Sequence, residues 1–158
     1  MTDSTGGTRG LLDTSVVVDI EEIDPDLLPD VQAISSVSLA ELTAGLPAAS
    51  SDDERARRQQ RLQQIEATLE SLPFDDTAAR AYGRVFAAVT AIGRKARGRR
   101  AADLFIAATA LSNELPLYTS NPDDFAGLEG LLEVVAVDQA APPTRPDTRM
   151  RDEPGEQS

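Results

Sequence analysis

Across residues 10–137, short apolar runs alternate with longer segments whose apolar residues recur every three or four positions. Consecutive strands separated by helices pair in parallel, because the crossover brings each new strand back to the same end of the sheet. The alternation therefore predicts an α/β fold of three layers, α/β/α, with a mostly parallel central sheet covered on both faces. In such sheets ligands bind beyond the carboxyl ends of the strands, so the residues that follow each apolar run carry the functional information.

The first strand is Gly10-Leu11-Leu12, running into Asp13, and Val16 to Ile20 open the helix or loop that follows. A second strand covers residues 31–37, and the next helix starts at Ser38 with Leu39, Ala40, Leu42 and Leu46. A long amphipathic helix spans residues 52–72, with Leu62, Ile65, Leu69 and Leu72 on one face. Pro73 and Phe74 make a connection or short strand, and Asp76 caps a helix reaching Ile92. After a break at Gly98, a helix over residues 100–114 presents Leu104, Ala107, Ala108 and Leu111, a small-residue face suited to close packing on a sheet. Strands at residues 116–119 and 132–137 complete the domain. The pattern covers residues 10–139. Residues 1–9 are small and polar, and residues 140–158 have no apolar period, so both are expected to be disordered tails.

The residue alphabet narrows the chemistry. The chain has no His and no Cys, and Lys95 is its only lysine. Ser-His-Asp and Cys-His triads, zinc sites built on Cys or His, and disulfides are excluded. No glycine-rich phosphate loop occurs. A hydrolase made from these residues relies on carboxylates, which are good ligands for Mg²⁺ or Mn²⁺. A net charge of -12 repels nucleic acid unless bound cations and local basic patches reverse the field. No apolar run is long enough to span a bilayer and no hydrophobic leader opens the chain, so a cytoplasmic protein without a membrane partner is expected.

Three strand ends run into polar or acidic residues: Asp13, then Ser38 with Glu41, then Asn121 with Asp124. Asp103 stands near the start of the small-residue helix. Taken singly, each has a structural role that suffices. Ser38-Leu39-Ala40-Glu41 fits a capping box, Asn121-Pro122 a helix start, Asp103 a favourable helix N-terminus, and Asp13 the cap of the turn after its strand.

Taken together they are more specific. Leu12-Asp13-Thr14-Ser15, Ser38-Leu39-Ala40-Glu41-Leu42, the run from Arg100 through Asp103 to Ala110, and Thr119-Ser120-Asn121-Pro122-Asp123-Asp124-Phe125 occur in that order. With Leu72-Pro73-Phe74-Asp75 ahead of Ala81-Tyr82, this pattern resembles the PIN-domain ribonucleases, in particular the VapC-type toxins of bacterial toxin–antitoxin pairs. The resemblance covers residues 10–138. It implies an Mg²⁺-dependent RNA endonuclease, with Mn²⁺ as a substitute, whose carboxylate-held metal activates water for phosphodiester cleavage. It also implies a cognate antitoxin and a homodimer.

Residue by residue, the resemblance assigns metal binding to Asp13, Glu41 and Asp103. The fourth catalytic place falls to Asn121, which stands where Asp is frequent in the family, or to Asp124 in the Asp-Phe that follows. The set suits one ion or two. Ser15 either orients Asp13 through a hydrogen bond or caps the backbone. Arg97, Arg99 and Arg100, in the densest basic run with Arg94 and Lys95, either hold RNA phosphates or form a solvated helix end. The Arg55, Arg57, Arg58 and Arg61 cluster reads as surface solubility or a partner interface. The acidic run of Glu21, Glu22, Asp24, Asp26 and Asp30 reads as solvated, or as attracting a basic antitoxin segment. The rival function is a non-catalytic PIN-like module that docks RNA or protein. A phosphorylated receiver domain is set aside, because Val137 runs into Asp138 and Gln139 where that fold needs a lysine.

Overall fold

The computed structural model describes residues 6–138. Its elements are β1 (Arg9–Leu12), α1 (Thr14–Val18), β2 (Val31–Ser35), α2 (Ser36–Ala44), α3 (Asp52–Thr68), β3 (Glu70–Leu72), α4 (Asp76–Ala91), α5 (Arg99–Ser112), β4 (Leu117–Thr119) and β5 (Val134–Ala136). The five strands form one sheet in the order β3-β2-β1-β4-β5. Every pairing is parallel, as the alternation of strands and helices requires. β1 lies at the centre, with Leu12 registered beside Ile34 on one side and Tyr118 on the other.

The two-residue period of each strand divides the core between the faces of the sheet. Leu11 and Ala33 pack with Val85 and Val89 of α4 and with Leu104 and Ala108 of α5. Leu12 and Ile34 point the other way, onto Val16 and Val17 of α1 and Ile65 of α3. The buried surface of α5 is wider than the predicted face: Ile106 and Ala110 are fully buried with Leu104, Ala107 and Ala108, while Leu111 is only partly so. Phe105, outside that inner set, meets Phe74 edge-on at 5.0 Å and Tyr82 at 4.8 Å between ring centres.

Several boundaries differ from those read in the sequence. β2 stops at Ser35, whose hydroxyl accepts the Val37 amide at 3.0 Å, so the helix begins at Ser36 and Ser38 is interior to it. The capping box at Ser38 therefore does not form; of three closely spaced serines, the earliest caps. The long helix ends at Thr68 and the chain continues into β3, pairing Ala33 with Glu70 and Ser35 with Leu72. Leu69 and Leu72 are three apart, one face of a helix but opposite faces of a strand, and they pack in opposite cores. Asp75 rather than Asp76 caps α4, accepting the Ala78 amide at 2.9 Å. At the start of the domain β1 includes Arg9, and the Thr8 amide donates to Asp30 at 2.8 Å. The expected tails of residues 1–9 and 140–158 otherwise lie, apart from residues 6–9, outside the described residues. Among those described, no helix is long and apolar enough to cross a membrane.

Gly10 sits where two strands leave no room for a side chain. A Cβ there would stand 2.3 Å from Cε2 of Tyr118 and 3.0 Å from the Pro29 ring. Gly10→Ala is expected to lower stability by roughly 1–3 kcal/mol, the cost of overpacking a filled site. Urea unfolding should show a reduced midpoint at unchanged slope; an unchanged midpoint would mean that the Tyr118 ring moves aside freely.

Candidate active site

From β1 the chain winds outward through β2 to β3, then returns across the sheet to lay down β4 and β5 on the other side. At that reversal the connections leaving β1 and β4 diverge, and a crevice opens at their carboxyl ends. A cleft of about 1030 Å³ occupies the place, lined by Asp13, Glu41, Asp103, Asn121 and Asp124 among others. Residues far apart in sequence meet there because each follows a strand or opens a helix at the same end of the sheet.

Asp13 is the most deeply set, only 5% exposed. Its backbone hydrogen bonds to Tyr118, and its side chain caps α1 by accepting the Thr14 amide on Oδ1 at 2.9 Å. On Oδ2 it accepts the hydroxyls of Ser15 and Thr119, each at 2.8 Å. Both hydroxyls also accept main-chain amides: Ser120 donates to Ser15 at 3.2 Å and Asn121 to Thr119 at 3.0 Å. Three donors thus fix the carboxylate, and two of them tie it to the end of β4. Three of its roughly four lone-pair directions are used, which leaves one on Oδ1. Ser15 both bonds Asp13 and serves the backbone, so the two roles weighed for it coexist.

Glu41 extends from the second turn of α2. Thr14 Oγ1 lies 2.8 Å from Glu41 Oε1 and 2.9 Å from Ser38 Oγ. One hydroxyl proton cannot serve both, and the carboxylate is the stronger acceptor. Thr14 then donates to Glu41, and the buried Ser38 hydroxyl supports Thr14 from behind.

Asp103 projects from the second turn of α5, half-buried. Burial comes first, then the charges of Asp13, Asp124 and Glu41, and together they push its carboxyl up to about 6 from the usual 3.8; Arg100 opposes them. Asp124, on the 3₁₀ turn Pro122–Phe125, is therefore close enough to act electrostatically on Asp103. Arg94 steadies that turn by donating to the Asp123 carbonyl. Asn121 lines the cleft but is exposed, and its side chain does not cap the turn as its sequence position suggested.

Among the described residues, no three carboxylates stand close enough together to enclose an ion by themselves. A fully caged ion such as Ca²⁺ would need more. Mg²⁺ needs less, since it keeps several waters and is commonly held by one or two carboxylates together with substrate phosphate. An all-oxygen donor set in which Asp13, Asp124 and Glu41 raise the proton affinity of Asp103 is chemically matched to such a hydrated cation.

Arg97, Arg99 and Arg100 line the same cleft, on the loop before α5 and its first turn. Gly98 lies among them with φ +68, a left-handed conformation that places the arginines on either side of the helix start. Thr14 and Thr119 hold the acids of the site although their sequence positions alone do not mark them. The signal they do carry is placement: both are hydroxyl residues at or beside a strand end, within the same short motifs as the acids.

The pH linkage of Asp103 has a definite sign. Its folded pKa stands above the unfolded value, so the folded chain holds the extra proton between about pH 4 and 6 and loses stability as pH rises through that window. In EDTA, Asp103→Asn should melt close to wild type near the acid end of the window and progressively higher than wild type above it. A gap between the two proteins that does not vary with pH would contradict this electrostatic account.

Comparison with known proteins agrees with the architecture. The PIN domain family matches residues 10–131. Ribonuclease VapC5 of Mycobacterium tuberculosis is 42% identical over 134 residues, spanning 83% of this chain and 96% of that protein. The crystal structure of the VapBC-5 toxin–antitoxin member from the same organism superposes with a TM-score of 0.71 at 43% identity, covering 82% of this chain and 99% of that one. VapBC2 from Rickettsia felis, at 24% identity and a TM-score of 0.67, covers 83% of this chain and all of its own; it shares the fold. With a five-stranded parallel sheet, an acidic cleft at its switch point and this degree of identity, the chain belongs to the PIN-domain family and, within it, to the VapC-type ribonuclease toxins.

Proposed function

We propose that this ribonuclease toxin cleaves RNA internally, in the cleft between Asp13 and Asp103, as an Mg²⁺-dependent endonuclease for which Mn²⁺ can substitute. The observation that carries the proposal is the convergence of Asp13, Glu41, Asp103 and Asp124 on one cleft at the switch point of the sheet, where the neighbouring charges also raise the proton affinity of Asp103. Clustered acids of that kind favour a bound cation. Of Asp13, Glu41 and Asp103, one or two would hold it directly through carboxylate oxygens and the remainder through its retained waters. Asp124 would supply the fourth charge and Asn121 a neutral carbonyl at the rim. When bound, the ion neutralises charge on the scissile phosphate and lowers the pKa of the attacking water.

The chain's own residues perform the remaining tasks. Ser15, Thr119 and the Thr14 amide hold Asp13 in one orientation, and the Thr14 hydroxyl does the same for Glu41. Such supports matter because a carboxylate free to rotate spends its time in orientations that do not bind. Arg97, Arg99 and Arg100 offset the overall charge of -12 where RNA phosphates must approach. The same reading includes a cognate antitoxin that blocks the cleft, a cytoplasmic site of action, and a homodimer. Phe86 and Ile92, 43% and 53% exposed, are apolar side chains that a dimer interface would cover.

Purified protein is expected to cleave a structured RNA with Mg²⁺ or Mn²⁺ and to stop on addition of EDTA. Asp13→Ala and Asp103→Ala should each abolish cleavage while RNA binding persists, and Asn121→Ala should have the mildest effect. Thr119→Val, which keeps shape but removes a donor to Asp13, should weaken Mg²⁺ affinity or activity by about 10–100-fold. Tight RNA binding without cleavage in either metal would transfer the chain to the non-catalytic binding modules. Full activity in the Asp13→Ala, Asp103→Ala double variant would place the chemistry elsewhere.

A further inference from the structure

Beside the acidic cleft runs a second groove of about 590 Å³, between α2, α3 and the end of α1. The two are continuous, since Thr14, Val18 and Glu41 line both. The α3 wall of the groove presents Glu54, Arg57, Arg58, Arg61 and Leu62, a single stripe at helical spacing. Arg58 is occupied: it pairs with Glu54 and donates to the Gly45 carbonyl, which pins the α2–α3 connection. Arg57 and Arg61 are exposed. Among the described residues, neither has an ion pair or hydrogen bond.

The placement of charge is uneven. Six of the chain's fifteen cationic side chains line these two adjoining depressions, three in each, although the chain as a whole carries -12. Arg57 and Arg61 are one helical turn apart, about 6 Å along the axis, comparable with the distance between adjacent phosphates of a single strand. No aromatic ring lines the groove, so it offers phosphate contacts without a stacking platform for bases.

We propose that this groove is a second arm of the RNA path, in which Arg57 and Arg61 bind backbone phosphates of the strand on the far side of the cleft from Arg97, Arg99 and Arg100. The proposal rests on the ribonuclease site described above. A strand held only by the arginines around the start of α5 would have one end free to swing away from a carboxylate cluster that repels it. Held on both sides, it crosses the cleft under Asp13, Glu41 and Asp103. The contacts go to the backbone, so the arm adds affinity and register and leaves base preference unchanged.

The test measures binding of fluorescein-labelled dodecauridylate and tetrauridylate to the full chain, in an Asp103→Asn background that blocks turnover. In Arg57→Gln, Arg61→Gln, loss of two single-strand phosphate contacts should reduce the slope of log affinity against log salt by about 1.4. The same counterion term predicts affinity for the longer strand about 25-fold weaker near 0.1 M salt, with little change near 1 M. Tetrauridylate, too short to reach both arms, should bind both proteins alike. Arg80→Gln, Arg84→Gln makes the same change in net charge on a separate groove and should leave the slope as it was. Sparing Arg58 keeps the α2–α3 connection intact, and equal melting temperatures would verify the fold.

An unchanged affinity and slope in the α3 variant would overturn the proposal. If Arg97→Gln, Arg99→Gln still weakened binding, the ribonuclease site would stand without the second arm. An equal loss in the Arg80, Arg84 control would also overturn it, by reducing the effect to overall charge. Binding of hexaglutamate that depends on Arg57 and Arg61, with RNA affinity unaffected, would assign the groove to an acidic protein segment instead. Absence of any RNA binding by the parent protein would defeat the ribonuclease site first, and this arm with it.

Discussion

The site depends on one buried carboxylate and the three donors that hold it. Asp13 is a charged group at the end of the central strand, and burial of a charge is tolerated only where hydrogen bonds replace water. The Thr14 amide, the Ser15 hydroxyl and the Thr119 hydroxyl supply them. Because these donors come from α1 and β4, the same contacts that keep Asp13 solvated internally also fix the angle between those elements. The two hydroxyls pass the constraint on by accepting the amides of Ser120 and Asn121, so the loop carrying the remaining polar residues leaves β4 in a set direction. Local solvation of one ion and global placement of the cleft wall are thus achieved by the same hydrogen bonds.

Around that fixed point the protein accepts electrostatic tension. Glu41, Asp103 and Asp124 approach Asp13 from three other elements, and the cost is visible in the displaced titration of Asp103. The folding free energy that offsets it comes from the two apolar cores, each packed against one face of the sheet. α5 shows the division of labour within one helix. Its Leu104, Ile106, Ala107, Ala108 and Ala110 are fully buried, while Asp103 and Arg100, on the adjoining turn, face the cleft with opposite charges. A helix anchored so deeply can hold an unfavourable charge in place without yielding.

The sheet and the members of the acidic cleft were legible in the sequence because both depend on periodicity and order. Strands Leu11-Leu12 and Ala33-Ile34 are apolar on both faces, as central parallel strands must be, and the acids follow at fixed offsets. What the sequence did not disclose were choices between equivalent local solutions. Ser35, Ser36 and Ser38 all suit a helix start, and only tertiary contacts decide that Ser38 turns inward to Thr14. Leu69 and Leu72 continue the helical period of Leu62 and Ile65, and only pairing with β2 turns the chain into a strand that sends them to opposite cores. The role of Thr119 is hidden for a related reason. A threonine in a strand is ordinary, and its role arises from a residue in a different strand.

Thr119 and Asp13 are separated by 106 positions. During synthesis β1, β2 and β3 emerge well before β4, and until β4 is made Asp13 lacks the Thr119 hydroxyl, the one of its three donors that comes from a distant strand. The acidic cleft is therefore incomplete until β4 has been added to the sheet. The order in which the strands are laid down thus sets when the cleft can assemble: Asp13 gains its last donor, and the cleft its Asn121 and Asp124 wall, only once β4 and the turn after it have folded back across the sheet.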